Sequence, residues 1–260
     1  MTPLLVDSHA HLDDAAFDHD RADMLERAVR AGVAGMVVPA VDLASWQRIS
    51  NLCRQHPRLA PAYGLHPVFL PHHAPEHVDA LSRWLEREPA VAVGEIGLDF
   101  HDERLDPSSQ RDYFMRQLKL ARERELPVIV HARAAMEEVI LTMRRVGGLR
   151  GVVHSFSGSE QQAAQLWRMG FCLGIGGPVT YPRAMRLRRI VATMPLEFLL
   201  LESDAPDQPD AGHRGERNEP ARVVDVLHGI AALRGQPAAA IAAATSANAA
   251  RLFGIRLPAA

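Results

Sequence analysis

Short apolar runs alternate with longer amphipathic segments along nearly the whole chain. The runs are rich in Val, Leu and Ile, which is typical of strands buried on both faces. The longer segments carry apolar residues at helical spacing: in 21–31, Met24, Leu25 and Ala28 share one face and Gly32 follows the last turn. The pattern therefore predicts strands and helices in strict alternation.

Eight apolar runs predict eight strands, and a helix is expected after most of them. The predicted strands are 4–6, 35–38, 59–63, 90–93, 127–130, 151–153, 171–175 and 198–201. The predicted helices are 21–31, 43–56, 77–87, 109–125, 136–146, 160–169, 183–194, 220–233 and 238–253. Such alternation is typical of a parallel sheet with helical crossovers, and eight units close a (β/α)8 barrel.

We therefore predict an α/β protein, a single (β/α)8 TIM barrel domain over residues 1–260, with its chemistry at the C-terminal strand ends. A doubly wound open sheet is the alternative. That fold would not bring residues from strands 1, 4, 5, 6 and 8 to one centre. The first strand–helix turn also lacks a glycine-rich dinucleotide fingerprint.

Composition narrows the class of protein further. The chain is 47% hydrophobic, enough for a sizeable core, and its formal net charge of -2 gives no global sign of a nucleic-acid or membrane partner. Cys53 and Cys172 fall inside a predicted helix and a predicted strand, as reduced packing residues do. No run is long enough to span a bilayer and no signal-peptide pattern opens the chain. We expect a cytoplasmic protein, with a monomer as the default.

Candidate metal ligands follow the predicted strands. His9 and His11 come directly after the first strand and, being two residues apart, would point to the same side of an extended chain. Further candidates after strands 3, 4, 5, 6 and 8 are His66, Glu95, His131, His154 and Asp204. Each alone is explained by a cap, a turn or a surface group. Together at one end of a barrel they predict a metal site.

Four histidines and two carboxylates are enough for two divalent ions, with His66 as a further polar neighbour. Two ions about 3.5–4 Å apart activate water and clamp both oxygens of a phosphoryl centre. Glu95 lies near the middle of the series and is the natural bridge between them. The only lysine, Lys119, lies in a predicted helix, so a carboxylated lysine cannot take this role.

Several motifs in order resemble the TatD family of metal-dependent deoxyribonucleases, within the amidohydrolase-like barrels. They are DSHAHL at 7–12, GLHP at 64–67, GEIGLD at 94–99, PVIVHAR at 127–133, HSFSG at 154–158 and LESDAP at 201–206. The similarity runs from about Leu5 to Ile255, and 248–254 looks like the closing helix of the family.

The resemblance implies a two-metal site and phosphodiester hydrolysis on DNA, often from the 3′ end, by attack of a metal-bound hydroxide. His9, His11 and Asp204 would bind the first ion and His131 and His154 the second, with Glu95 shared. Asp204 would also accept the proton of the attacking water, so it and Glu95 are the predicted catalytic residues. His66 and Arg133 would face the scissile phosphate.

The chain departs from the family pattern in three places. Ser203 stands where the family usually has Thr. Residues 207–209 (Asp-Gln-Pro) replace an aromatic residue and a leucine, and 100–103 (Phe-His-Asp-Glu) replace a Tyr-rich, Arg-containing stretch. The last two changes make the substrate-facing rim more acidic, which is typical of a less-studied branch of the family.

Three functions follow as hypotheses. The first is a phosphodiesterase acting on single-stranded DNA ends, with Arg214, Arg217 and the arginines of 183–189 as candidate phosphate contacts. The second is a hydrolase of a small ester, amide or phosphoester, which the acidic rim favours. The third is a non-catalytic metal-dependent scaffold, which the complete ligand set disfavours. A mixed imidazole and carboxylate set suits Zn²⁺, Mn²⁺, Fe²⁺, Co²⁺ or Ni²⁺, and Mg²⁺ less well.

Overall fold

A computed structural model describes residues 4–257 and contains one eight-stranded parallel sheet in which each strand pairs with the next along the chain. The strands are β1 (Leu5–Asp7), β2 (Val33–Pro39), β3 (Leu59–Tyr63), β4 (Ala92–Asp99), β5 (Val128–Arg133), β6 (Gly151–Val153), β7 (Phe171–Ile175) and β8 (Leu199–Leu201). The backbone N–H of Ser8 donates to the carbonyl of Leu201 (2.9 Å), so β8 lies beside β1. The predicted (β/α)8 barrel is confirmed.

Nine α-helices surround the sheet in the part of the chain from 4 to 257. They are α1 (Arg21–Arg30), α2 (Leu43–Gln55), α3 (His77–Leu85), α4 (Pro107–Glu123), α5 (Met136–Val146), α6 (Glu160–Arg168), α7 (Met185–Thr193), α8 (Val223–Arg234) and α9 (Ala238–Phe253). Asp42 and Ser159 form capping boxes at the starts of α2 and α6. None of the described helices is long and apolar enough to cross a membrane.

The interior of the barrel holds one buried residue from each strand. These residues are Val6, Val37, Ala62, Ala92, Ile129, Val152, Cys172 and Leu200. Ala249, Leu252 and Phe253 of α9 belong to the same cluster, so the last helix closes the barrel at the strand N-terminal end. Because side chains alternate along a strand, the next inward residue on β5 is His131, and His154 and Glu202 follow the ends of β6 and β8 in the same way.

Two strands extend three or more residues beyond their predicted C-terminal ends. β4 was expected at 90–93 but runs to Asp99, and β5 was expected at 127–130 but runs to Arg133. The extension is a pairing between these two strands, with Ile96 opposite Val130 and Gly97 opposite His131. Glu95 and His131 therefore lie within strands, where the sheet fixes their backbone, and do not lie on the loops after them.

Candidate metal centre

The first group of metal-ligating atoms lies at the C-terminal end of β1. His9 Nε2 lies 3.2 Å from His11 Nε2, 3.2 Å from Glu95 Oε2 and 3.5 Å from Asp204 Oδ1. His11 Nε2 lies 3.5 Å from the same oxygen of Glu95 and 3.8 Å from Asp204 Oδ1. Two imidazole nitrogens and two carboxylate oxygens thus converge on one point, as the spacing of His9 and His11 predicted.

The second group shares Glu95 but uses its other oxygen. Glu95 Oε1 lies 2.7 Å from His154 Nε2, 3.1 Å from His131 Nδ1 and 3.0 Å from His66 Nε2. His131 Nδ1 and His154 Nε2 are 3.4 Å apart. One carboxylate therefore presents a separate oxygen to each of two imidazole groups, which is the geometry of a bridging ligand.

The residues fit divalent metal ions. Ligands at 2.0–2.1 Å from a tetrahedral ion lie roughly 3.4 Å apart, which is close to the separations in the first group. Nitrogen and oxygen atoms this close, in a site where His9 and Glu95 are 0% and 1% exposed, need a cation or shared protons between them. Imidazole and carboxylate are the ligands of zinc and of the first-row transition metals.

His66 is oriented to donate a hydrogen bond and not to bind a metal. Its Nδ1 accepts the backbone N–H of Val68 (3.1 Å), so in the neutral ring the proton resides on Nε2. Burial lowers the pKa of His66 to about 4, so the ring is neutral at pH 7. A protonated Nε2 beside Glu95 suits contact with an anionic substrate atom at the edge of the metal centre.

Asp99 is a functional residue that the sequence reasoning missed. Its Oδ2 lies 2.9 Å from His131 Nε2, and its Oδ1 accepts the backbone N–H of His101 (3.0 Å). A carboxylate in this position accepts a hydrogen bond from Nε2 and so keeps the ring proton there. Nδ1, on the side of Glu95, is left free to bind a metal. Asp99 ends the motif GEIGLD, so its acidic type at a strand end was the available signal.

The loop that carries Asp204 is held from both sides. Asp7 is fully buried and accepts the backbone N–H (2.9 Å) and the hydroxyl (2.5 Å) of Ser203. The side chain of Asn218 donates to the carbonyls of Ser203 and Asp207, both at 2.7 Å. Asp204 itself has a φ of 57°, a left-handed conformation that a non-glycine residue keeps only where its surroundings impose it. The loop is therefore preorganised.

Gln208 makes the direct contact to Asp204. Its side-chain amide donates to Asp204 Oδ2, while its carbonyl oxygen accepts the hydroxyl of Ser155 (2.9 Å). Oδ1 of Asp204 is then left for the first group of ligands. Gln208 lies in one of the segments in which this chain departs from the family pattern, and the sequence did not indicate this role.

The electrostatics of the centre follow from burial and from the central carboxylate. Burial lowers the pKa of His9 well below its ordinary value. Burial alone would raise the pKa of Glu95, but the imidazoles of His154, His66 and His9 together hold it well below its ordinary value. Burial also opposes the charged form of His154, yet Glu95 raises its pKa to about 10.

Glu202 is a second buried acid that the sequence reasoning did not single out. It is 0% exposed, its Oε1 accepts the backbone N–H of Ser155 (2.5 Å) and lies 3.9 Å from His154 Nδ1. Burial raises its pKa to about 8. Gly174 makes room for it, because a Cβ there would lie 2.0 Å from Glu202 Oε2. Gly174, one residue before the end of β7, is the feature of the sequence that could have indicated this contact.

A cleft of about 1280 Å³ opens over the metal centre. His11, His66, Glu95, His131, His154 and Asp204 line its floor, and Arg133 lies on its wall. Arg217 is not brought to the cleft. Its guanidinium pairs with both oxygens of Asp20 (2.7 Å each) and stacks over Phe17, because Asp20 on the loop before α1 faces it. The expected phosphate contact of Arg217 thus has no support in the geometry.

Two groups of imidazoles joined by one carboxylate, at the mouth of a (β/α)8 barrel, define a metal-dependent hydrolase. Residues 6–254 match the family model described as TatD related DNase. The chain belongs to the TatD family, as its motifs predicted.

Relatives cover almost the whole chain. The uncharacterized metal-dependent hydrolase YjjV of Escherichia coli strain K12 is 41% identical over 96% of this chain and 98% of its own. A 3′-5′ ssDNA/RNA exonuclease, TatD of Salmonella typhimurium, is 34% identical over 96% and 99%. The crystal structure of E. coli YjjV, a TatD homologue, superposes with a TM-score of 0.95 at 38% identity, covering 98% of this chain and 100% of that one.

Proposed function

We propose that this protein hydrolyses phosphodiester bonds of single-stranded nucleic acid and removes nucleotides from the 3′ end. The observation that carries the proposal is the placement of Glu95, whose two oxygens each face a separate imidazole group. That arrangement suits a pair of divalent ions, and a pair of ions suits in-line displacement at phosphorus. The Salmonella relative named as a 3′-5′ ssDNA/RNA exonuclease supports the choice of substrate.

Each residue of the centre has a defined part in this proposal. His9, His11 and Asp204 would hold one ion and His131 and His154 the other, and Glu95 would serve both. When bound, the two ions neutralise phosphate charge and lower the pKa of a water molecule. The chain supplies the remaining steps through its own side chains.

Proton transfer and charge stabilisation fall to residues beside the ligands. Asp204 Oδ1 faces the first group, and burial raises the pKa of this carboxyl, so it suits a proton acceptor for the attacking water. His66 Nε2–H and the exposed guanidinium of Arg133 supply donors for the phosphate oxygens. Developing negative charge on the phosphate is thereby stabilised.

The test uses a 5′-labelled single strand of DNA. Purified protein with Mg²⁺ or Mn²⁺ is expected to shorten the strand from its 3′ end, and a chelator is expected to stop the reaction. No release of nucleotides with any divalent ion would overturn the nuclease proposal and leave the metal site standing.

A second candidate is hydrolysis of a small ester, amide or phosphoester. Four aspartates on one wall of the cleft favour it, because they repel a long polyanion on that side; they are Asp13, Asp14, Asp18 and Asp42. A panel of chromogenic phosphodiesters and carboxyl esters separates the two functions. Turnover of a carboxyl ester with no turnover of any phosphodiester would favour this second candidate.

A further inference from the structure

The two walls of the cleft carry opposite charge. The wall formed by the loops after β1 and β2 carries the four aspartates. Two of them form ion pairs at 2.7 Å, Asp13 with Arg48 and Asp18 with Arg21, so the wall keeps its net negative charge from the other two. The opposite side of the cleft carries Arg133 at the end of β5, Arg183 in the loop before α7 and Arg186 in the first turn of α7, and no carboxylate from the described residues between β5 and α7 lines it. Within residues 4–257, none of these three guanidiniums forms an ion pair, in contrast to Arg27, Arg54 and Arg189.

Arg183 and Arg186, which lie before and at the start of α7, are held in place by neutral groups. Arg183 lies over the ring of Tyr181, 5.4 Å from its centroid, and the hydroxyl of Tyr181 donates to the carbonyl of Pro209 (3.0 Å). Arg186 donates to the carbonyl of Ser157 (2.7 Å). Because these contacts leave the charge unneutralised, both guanidiniums retain donors for an anion.

An apolar side chain stands between the two arginines. Met185 is 65% exposed, although it belongs to the cleft lining. Cationic groups alternating with an exposed apolar group suit a flexible strand, in which phosphates alternate with bases. Inorganic phosphate or a lipid surface would not call for that alternation.

We propose that Arg183 and Arg186, continuing from Arg133, form a track for the phosphates on the 5′ side of the scissile bond. The chain then leaves the metal centre over the loops after β5–β7, and the terminal nucleotide lies on the aspartate side. That wall repels a second run of phosphates, so cleavage is confined to an end. This inference rests on the proposed function and adds the path of the substrate.

The test compares R183A/R186A with the wild-type, metal-loaded protein. Binding is measured by fluorescence anisotropy with a labelled phosphorothioate single strand, which resists hydrolysis, across a range of salt concentrations. Each phosphate contact contributes about 0.7 to the slope of log affinity against log salt, so the double variant is expected to lose about 1.4 and to bind about tenfold more weakly. Hydrolysis of bis-p-nitrophenyl phosphate is expected to stay unchanged.

Two further variants secure the interpretation. Arg189 lies on α7 but pairs with Glu160 (3.4 Å) and does not line the cleft, so Arg189→Ala is the matched control and should behave as wild type. Arg183→Ala alone touches no protein hydrogen bond of the β6 loop and is expected to lose about 0.7 of slope. If loss of the hydrogen bond from Arg186 to Ser157 disturbs folding of the double variant, Arg183→Ala still tests the proposal.

The outcomes separate the track from the function. A wild-type protein that degrades single strands, together with a double variant of unchanged slope, would overturn the track and leave the proposed function intact. A wild-type protein that cleaves only the small diester would overturn both. An equal loss on both substrates would mean that the arginines act at the reacting phosphate, which also contradicts a track.

Discussion

Asp99→Asn should weaken one metal site because it changes the tautomer of His131 while it leaves the shape of the site intact. Asp99 Oδ1 accepts the backbone N–H of His101, so an asparagine there keeps its oxygen on that side. Its amide nitrogen then faces His131 Nε2, now 2.9 Å from a carboxylate oxygen. An N–H donated to Nε2 forces the proton of the neutral ring onto Nδ1, the atom that faces Glu95.

The expected size of the effect follows from this geometry. His131 can bind an ion through Nδ1 only if it gives up the new hydrogen bond or turns its ring. Loss of a carboxylate behind a ligating histidine typically reduces metal affinity about 10- to 100-fold, equivalent to roughly 1.4–2.7 kcal/mol. The penalty is expected at the site that His131 and His154 would form. The ion held by His9 and His11 should bind as before.

Calorimetric titration of metal-free protein with Zn²⁺ or Mn²⁺ measures both sites. We expect one strong site in Asp99→Asn at its wild-type affinity and one weakened site. Asp102→Asn is the matched control, because that acid is also neutralised but pairs with Arg104 outside the centre. Unchanged affinity at both sites, or equal weakening of both, would refute the tautomer argument.

Three further substitutions test other parts of the site and fold. Asp204→Ala should lower kcat at least about 100-fold with little change in melting temperature, because its side chain serves the centre and not the core; full activity would show that it does not activate water. Gln208→Leu should lower kcat and weaken binding of the first ion, measured by steady-state kinetics and metal titration, because it frees Asp204 Oδ2; an unchanged ion affinity would count against positioning. Asp20→Asn should lower the melting temperature more at pH 7 than at pH 2: hydrogen bonds from Arg217 and Arg27 hold the pKa of Asp20 well below its ordinary value, so the stability it adds is complete above about pH 4 and declines as pH falls toward the pKa of the folded state. Equal destabilisation at both pH values would contradict that linkage.

The barrel and the ligand positions were predictable because both follow from short-range patterns. Eight apolar runs separated by helical segments determine the order of the elements, and parallel strands bring their C-terminal ends to one rim. His9, Glu95 and Asp204 could therefore be assigned to one centre although they are distant in sequence. The order of the strands could be predicted without knowledge of any tertiary contact.

Other features depend on contacts that no local pattern contains. The extension of β4 comes from its pairing with β5, and Gly94 and Gly97 pointed the other way, to a strand that ends early. Arg217 seemed suited to phosphate by its loop position, yet it meets Asp20, which lies 197 residues away in the chain. Gln208 reaches Asp204 through a backbone turn with positive φ, which its residue type does not indicate.

The central claim is that two ions act together at Glu95 on a phosphodiester. The most direct measurement is the titration of metal-free protein with Mn²⁺ while hydrolysis of a 5′-labelled single strand is followed. Activity is expected to rise to a plateau at two ions per chain, with products that shorten from the 3′ end. A plateau at one ion per chain, or two bound ions without release of any nucleotide, would contradict it.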